Sequence, residues 1–401
     1  MKKIFCLFIA LCLALTFSYT ASAAVSTENP DSNVYGNLPE IEETITLVDS
    51  QLDIAATSCV LIEPYTLTVL YENNPSEQLP PASITKIMSL LLIMEAVADG
   101  RLTLETQITA SEHACSMGGS QIWLEPGETM SLDEMLKAIV IASANDATVA
   151  VAEAIAGSEE SFVELMNKRA AELSMTGTHF VNCTGLDAEG HLTTAYDVAL
   201  MSSALIKYDL ITNYSTVWMD TLRGGESELV NTNKLVRFYD GCIGLKTGTT
   251  GGAGHCLSAA ARRDGMTLVA VVMHGDDSNA RFQGARKLLD FGFANYAFSS
   301  VSAELPSGCI PVKGGELPTV EYVAEDALSV LTRKGNTEIS REVILPDSVK
   351  APIKKGDVLG TVAVSADGEE IGIIEIKAAQ TVRKRTLFMV YGWLLRGIIN
   401  I

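Results

Sequence analysis

The sequence predicts an α+β protein, with an antiparallel sheet joined to a mainly helical subdomain and followed by a small all-β C-terminal domain. Three observations carry this. From about 83 to 220 the chain reads as capped apolar segments of helical period. Near Gly241 the period changes, and residues 242–247, 255–262 and 266–273 read as strands separated by Gly-rich or charged turns. From 306 to 378 only short strands recur, divided by Gly, Asp, Asn and Pro turns.

In chain order, Met1-Lys2-Lys3, an apolar run and Thr20-Ala21-Ser22-Ala23 read as an export signal over residues 1–23. Residues 24–55 are polar and acidic, a mobile lead-in. Residues 58–62 and 67–71 flank Glu63-Pro64-Tyr65-Thr66, so they form a hairpin, expected to join the sheet. Pro80 and Pro81 end that unit and a buried helix opens at about Ser83. Ser131-Leu132-Asp133-Glu134 is a capping box for a helix to about residue 141. The small residues from Ala142 to Ala144 break it, and further helices are expected over 146–156 and 161–173. A helix over 280–294 completes a catalytic domain spanning 56–300, with the helices expected on one side of the sheet.

Pro306, Gly308 and Pro311 mark the boundary to the β domain, 306–378. The tail, 380–401, sets Arg383-Lys384-Arg385 beside Leu387-Phe388-Met389. It is too short to span a bilayer and suits a helix lying on a membrane surface, the alternative being a helix docked on the protein.

The net charge of −20 argues against nucleic acid as a partner, and loss of the signal takes it to about −22. Cys59, Cys115, Cys183, Cys242, Cys256 and Cys309 show no Cys-x-x-Cys spacing, and their pairing is left open between disulfides and buried thiols. The five histidines form no ligand pair, so neither a metal nor a cofactor is expected.

The chemistry is carried by three short motifs. Ser83 and Lys86 stand three apart at a helix start, so hydroxyl and amine can meet. A serine needs a base to become a nucleophile, and a lysine whose pKa is lowered by burial or a second cation can be that base. Ser143-Ala144-Asn145 is the only Ser-x-Asn, and Lys246-Thr247-Gly248 the only Lys-Thr-Gly, the latter on an expected strand. Each alone is weak, because Ser143 can be a helix breaker and Lys246 a surface lysine. In this order they form the set used by serine acyl-transfer enzymes of penicillin-binding type.

At these residues the chain resembles the D-alanyl-D-alanine carboxypeptidases, the low-molecular-weight penicillin-binding proteins. The resemblance extends through Phe180-Val181-Asn182-Cys183-Thr184-Gly185-Leu186 and Thr194-Ala195-Tyr196-Asp197. It implies a β-lactamase/transpeptidase-like catalytic fold, a role in the cell wall, and a substrate stem peptide ending in D-Ala-D-Ala. It implies Ser83 as nucleophile, Lys86 as base and Ser143 as proton relay. Asn145 would orient Lys86 and the substrate amide, and the oxyanion would lie between the N–H groups of Ser83 and Thr249. Lys246, Thr247, Gly248 and Thr249 would bind the terminal carboxylate, with Arg281 assisting, and Lys246 would keep Lys86 neutral. It further implies acylation by β-lactams and attachment outside the cytoplasmic membrane through the tail. Ala144 departs from a frequent glycine. The rivals are a class A β-lactamase, which needs a carboxylate where Val163 stands, a transpeptidase, and a non-catalytic β-lactam sensor.

Overall fold

The computed structural model describes residues 52–324, 327–335 and 337–391. The export signal, the lead-in up to residue 51 and the tail from 392 on lie outside the described residues.

Five strands form the central sheet: β1 (Ala56–Glu63), β2 (Thr68–Asn73), β3 (Cys242–Thr250), β4 (Gly254–Arg263) and β5 (Met266–Gly275). Their order is β2-β1-β5-β4-β3, every pair antiparallel, so the hairpin does join the three later strands. Glu63 shapes the hairpin turn by accepting from the N–H groups of Tyr65 and Thr66.

The expectation of helices on one side of the sheet is corrected. One face, with Val60, Ile62, Val269, Val271 and Met273, packs in a core that includes helices α1 (Lys86–Ala98) and α5 (Ala195–Leu205). The other face, with Leu61, Leu257, Ala259, Ala270 and Val272, packs on Phe282, Ala285, Leu288 and Leu289 of α6 (Ser278–Asn295). The physical reason lies in the strand itself. Met266 through Met273 are all buried, with no polar-out alternation, so both faces need cover.

Between α1 and α5 lie α2 (Leu132–Ile141), α3 (Asn145–Ala156) and α4 (Glu159–Glu172). The capping box at α2 is formed in both directions, Ser131 to Glu134 and back. Gly157 ends α3 at φ +87, as its position after the apolar run predicts. Helix α4 starts two residues before the expected Ser161, because Ser158 caps it.

After α6, β6 (Tyr296–Val301) pairs with β9 (Leu328–Arg333). Tyr296 lies in the core under α6, while Val301 lies in a second core with Val330, Val362 and Ile376. A six-stranded sheet follows, built from β7 (Cys309–Lys313), β8 (Thr319–Val323), β10 (Ile339–Ile344), β11 (Val349–Lys350), β12 (Val358–Ala366) and β13 (Glu369–Ala378). All six cysteines of the described residues are free, with Cys59, Cys183 and Cys256 buried.

Candidate active site

Ser83 sits in a 3-10 turn, Ala82–Thr85, one residue before α1 begins at Lys86. Ala82 enters that turn at φ +50, a conformation costly for a residue with a Cβ. The turn is held from outside. Buried His191 takes the N–H of Val181 at Nδ1 (2.9 Å), so its Nε2 carries the hydrogen and donates to Thr85 Oγ1 at 2.8 Å. Burial lowers the His191 pKa to about 4, which keeps the ring neutral in this role.

Lys86 is fully buried, and its amine has three partners: Ser83 Oγ at 3.1 Å, Asn145 Oδ1 at 2.5 Å and the Thr184 carbonyl at 2.7 Å. The two carbonyl oxygens can only accept. A neutral amine therefore spends both N–H groups on them and points its lone pair at the one partner able to donate, the Ser83 hydroxyl. Burial lowers the Lys86 pKa from 10.5 to about 7, with the carboxylate of Asp146 opposing the shift. The Asn145 amide is fixed because its Nδ2 donates to the Gly118 carbonyl at 2.6 Å. Its backbone N–H donates to Ser120 at 2.7 Å.

The Thr184 carbonyl was not singled out from sequence. It is aimed by Asn182, whose Oδ1 takes the N–H groups of Thr184 (3.2 Å) and Gly185 (2.7 Å). Ser89, one turn along α1 from Lys86, donates to the Cys183 carbonyl at 2.7 Å. Gly185, at φ +87, lies so close beneath the nucleophile that a Cβ there would run into the Ala82 carbonyl oxygen.

Strand β3 forms the opposite wall. A Cβ on Gly248 would meet the Pro81 oxygen at 2.9 Å and the Ser83 nitrogen at 3.0 Å, so only glycine lets this strand lie against the Ser83 backbone. Arg281, from α6, is buried and donates to the Gly248 carbonyl and to Thr249 Oγ1, both at 2.8 Å. Arg281 is therefore a buried residue of the site and not a surface helix arginine. Thr247 donates to Thr232 at 2.7 Å, a partner with no motif of its own. Lys246 is buried and donates to the Thr247 carbonyl at 2.9 Å. Its pKa is lowered well below 10.5, first by burial and then by the positive charges of Lys86 and Arg281. Burial also lowers Arg281. For Lys86, burial is the leading cause of the shift.

Ser143 lies between α2 and α3 at φ +63, buried, and its Oγ has no hydrogen-bond partner among the described residues. Asp146, beside Asn145, spends its carboxylate on the backbone N–H groups of Ile122 and Leu124. The pocket thus gathers three basic side chains, Lys86, Lys246 and Arg281, and this carboxylate is committed to the backbone.

A family model described as D-alanyl-D-alanine carboxypeptidase matches residues 45–277. A second, described as the C-terminal domain of penicillin-binding protein 5, matches 302–384. D-alanyl-D-alanine carboxypeptidase DacF of Bacillus subtilis is 44% identical over 341 residues, covering 84% of this chain and 88% of its own. The structure of penicillin-binding protein 5 from Haemophilus influenzae matches with a TM-score of 0.71 at 28% identity, over 84% of this chain and 100% of that one. Penicillin-binding protein D2 of Listeria monocytogenes, solved in an ampicillin-bound form, matches with a TM-score of 0.56 at 28% identity, over 61% of this chain and 100% of its own. The likeness first visible at three motifs extends over most of the chain, which belongs to the D-alanyl-D-alanine carboxypeptidase family.

Proposed function

We propose that the protein removes the terminal D-alanine from peptidoglycan stem peptides through a Ser83 acyl-enzyme. The observation that carries this is the Lys86 amine, with a pKa near 7, placed 3.1 Å from Ser83 Oγ. Neutral Lys86 takes the hydroxyl proton as Ser83 Oγ bonds to the carbonyl carbon of the penultimate D-alanine. The resulting oxyanion is held by the N–H groups of Ser83 and Thr249, a reading supported by the close approach of Gly248 to the Ser83 backbone. Ser143, whose buried hydroxyl has no partner among the described residues, relays the proton taken up by Lys86 to the D-alanine nitrogen as the C–N bond breaks. Water then hydrolyses the ester and the serine is restored.

The wall of Lys246, Thr247, Thr249 and Arg281 receives the substrate's terminal carboxylate. Its buried cations have their charged forms disfavoured, and an arriving anion supplies the missing countercharge. β-Lactams acylate Ser83 by the same steps, a reading supported by the ampicillin-bound relative. Val163 stands where a β-lactamase needs its deacylating carboxylate, so turnover of that acyl-enzyme is slow.

The 56–300 catalytic domain and the 306–378 β domain are read as working outside the cytoplasmic membrane. Among the described residues no helix is long and apolar enough to cross a membrane. Leu387 and Phe388 are 90% and 91% exposed beside a basic cluster, which favours a tail that lies in the membrane interface.

The test is release of D-alanine from a pentapeptide ending in D-Ala-D-Ala, beside Ser83→Ala. Release by wild type alone supports the reading. Labelling of Ser83 by penicillin without D-alanine release turns it toward a transpeptidase or a sensor.

A further inference from the structure

Trp123 is an aromatic that neither the core nor the proposed chemistry uses. It is 78% exposed, and a single exposed apolar residue needs no explanation by itself. Its backbone does. Trp123 takes φ +59, a strained conformation for a bulky side chain. The residues on either side, Ile122 and Leu124, are buried and donate their N–H groups to Asp146 at 3.1 to 3.2 Å. From outside, Arg223 donates to the Ile122 carbonyl at 3.0 Å and to the Trp123 carbonyl at 3.5 Å. Arg223 is itself fixed by Glu128 through two contacts, at 2.8 and 3.2 Å. Strain held in place on several sides marks a residue whose position matters more than its local comfort.

That position is the rim of the active site. Asp146 follows Asn145, whose side chain touches Lys86, and the same loop gives its Gly118 and Ser120 carbonyls to Asn145. The hairpin bearing Arg223 (Met219–Leu222 with Ser227–Val230) runs on to Thr232, which touches Thr247 on the opposite wall. By backbone dimensions, the contacts that run from Trp123 through Asp146 and Asn145 to Lys86 keep the two within about 15–20 Å of each other. An extended peptide reaches that far in roughly four to six residues. Beyond the reacting dipeptide, the rest of a stem peptide and the sugar that carries it extend over that range.

We infer that Trp123 is a specificity-determining residue, a fixed aromatic platform for the carrier end of the stem. It offers a flat apolar face to the first stem residues and the sugar attached to them. This rests on the proposed function, and it predicts that the enzyme distinguishes wall-linked stems from short peptides ending alike.

The test compares D-alanine release from N-acetyl-D-Ala-D-Ala, the free pentapeptide and the N-acetylmuramyl pentapeptide. Trp123→Ala is expected to lower the ratio of kcat/KM for the muramyl pentapeptide over the dipeptide about tenfold, mostly through KM, and Trp123→Phe to keep most of it. A ratio unchanged in Trp123→Ala, whether both rates hold or both fall together, overturns the proposal. The free pentapeptide divides the loss between peptide and sugar. Binding is read separately by tryptophan emission of the Ser83→Ala protein on adding muramyl pentapeptide. A change that disappears in the Ser83→Ala, Trp123→Phe protein supports the platform even if wild type releases no D-alanine. No change in either protein refutes it.

Discussion

The two walls of the active site are built on opposite principles. At the Ser83 corner the Lys86 amine has its partners before substrate arrives: two carbonyls take the amine's hydrogens and the serine remains for its lone pair. On the β3 wall, Lys246 and Arg281 are buried together, and among the described residues no carboxylate pairs with them and Arg281 Nε has no partner. The first arrangement is preorganised for moving a proton. The second is incomplete without an anion, because buried cations are costly until paired. A binding wall that waits for its ligand and a catalytic corner that does not is a division that substitutions can separate.

The largest effect is expected at the corner. Lys86→Met keeps the buried volume and removes the base, so acylation of Ser83 by penicillin should fall about 10⁴-fold, as measured by the rate of covalent labelling. Gly248→Ala tests the seam between the walls. Its Cβ meets backbone atoms of Pro81 and Ser83, so the nucleophile must shift by a few tenths of an ångström or more, and labelling should slow about 10²-fold. A near-normal rate would show that the strand and the serine turn are less tightly coupled than the 2.9 and 3.0 Å approaches indicate. Arg281→Gln acts on the waiting wall. It should raise KM for D-alanine release about tenfold or more with a smaller change in kcat, because the lost interaction is made with the bound carboxylate. A loss confined to kcat would assign Arg281 to the corner instead.

The smallest and sharpest of these changes is Asn145→Asp. A carboxylate at 2.5 Å from the Lys86 amine favours its charged form and raises its pKa. The pH at which labelling reaches half its maximum should move up by a unit or more, with the high-pH plateau retained. An unmoved midpoint would mean that Lys86 is not the titrating group.

The corner was more legible in the sequence than its surroundings. Ser83 and Lys86 are three apart at a helix start, and that spacing alone brings their side chains together. The capping box at Ser131 and the stop at Gly157 were equally readable, since caps are local chemistry. Lys246, Thr247 and Gly248 stood out only as a motif, because no local rule says which strand face meets a serine 163 positions earlier. The Thr184 carbonyl and Thr232 escaped notice because a backbone oxygen and a lone threonine carry no signature of the partner they will meet. The Asn182-Cys183-Thr184-Gly185 turn was the one available hint. The helix over 280–294 was legible, but its place on the far side of the sheet was not, for a different reason. Residues 268–273 form an unbroken apolar run, which already implies a strand covered on both faces.

The central claim is that burial makes Lys86 a neutral base at physiological pH. The pH dependence of Ser83 labelling by penicillin tests it most directly. With its pKa lowered from 10.5 to about 7, Lys86 is protonated and inert below that value and free to accept a proton above it. The labelling rate is expected to rise through a single ionisation near pH 7 and then level off. A rate still climbing at pH 9, or one falling across this range, would contradict the account.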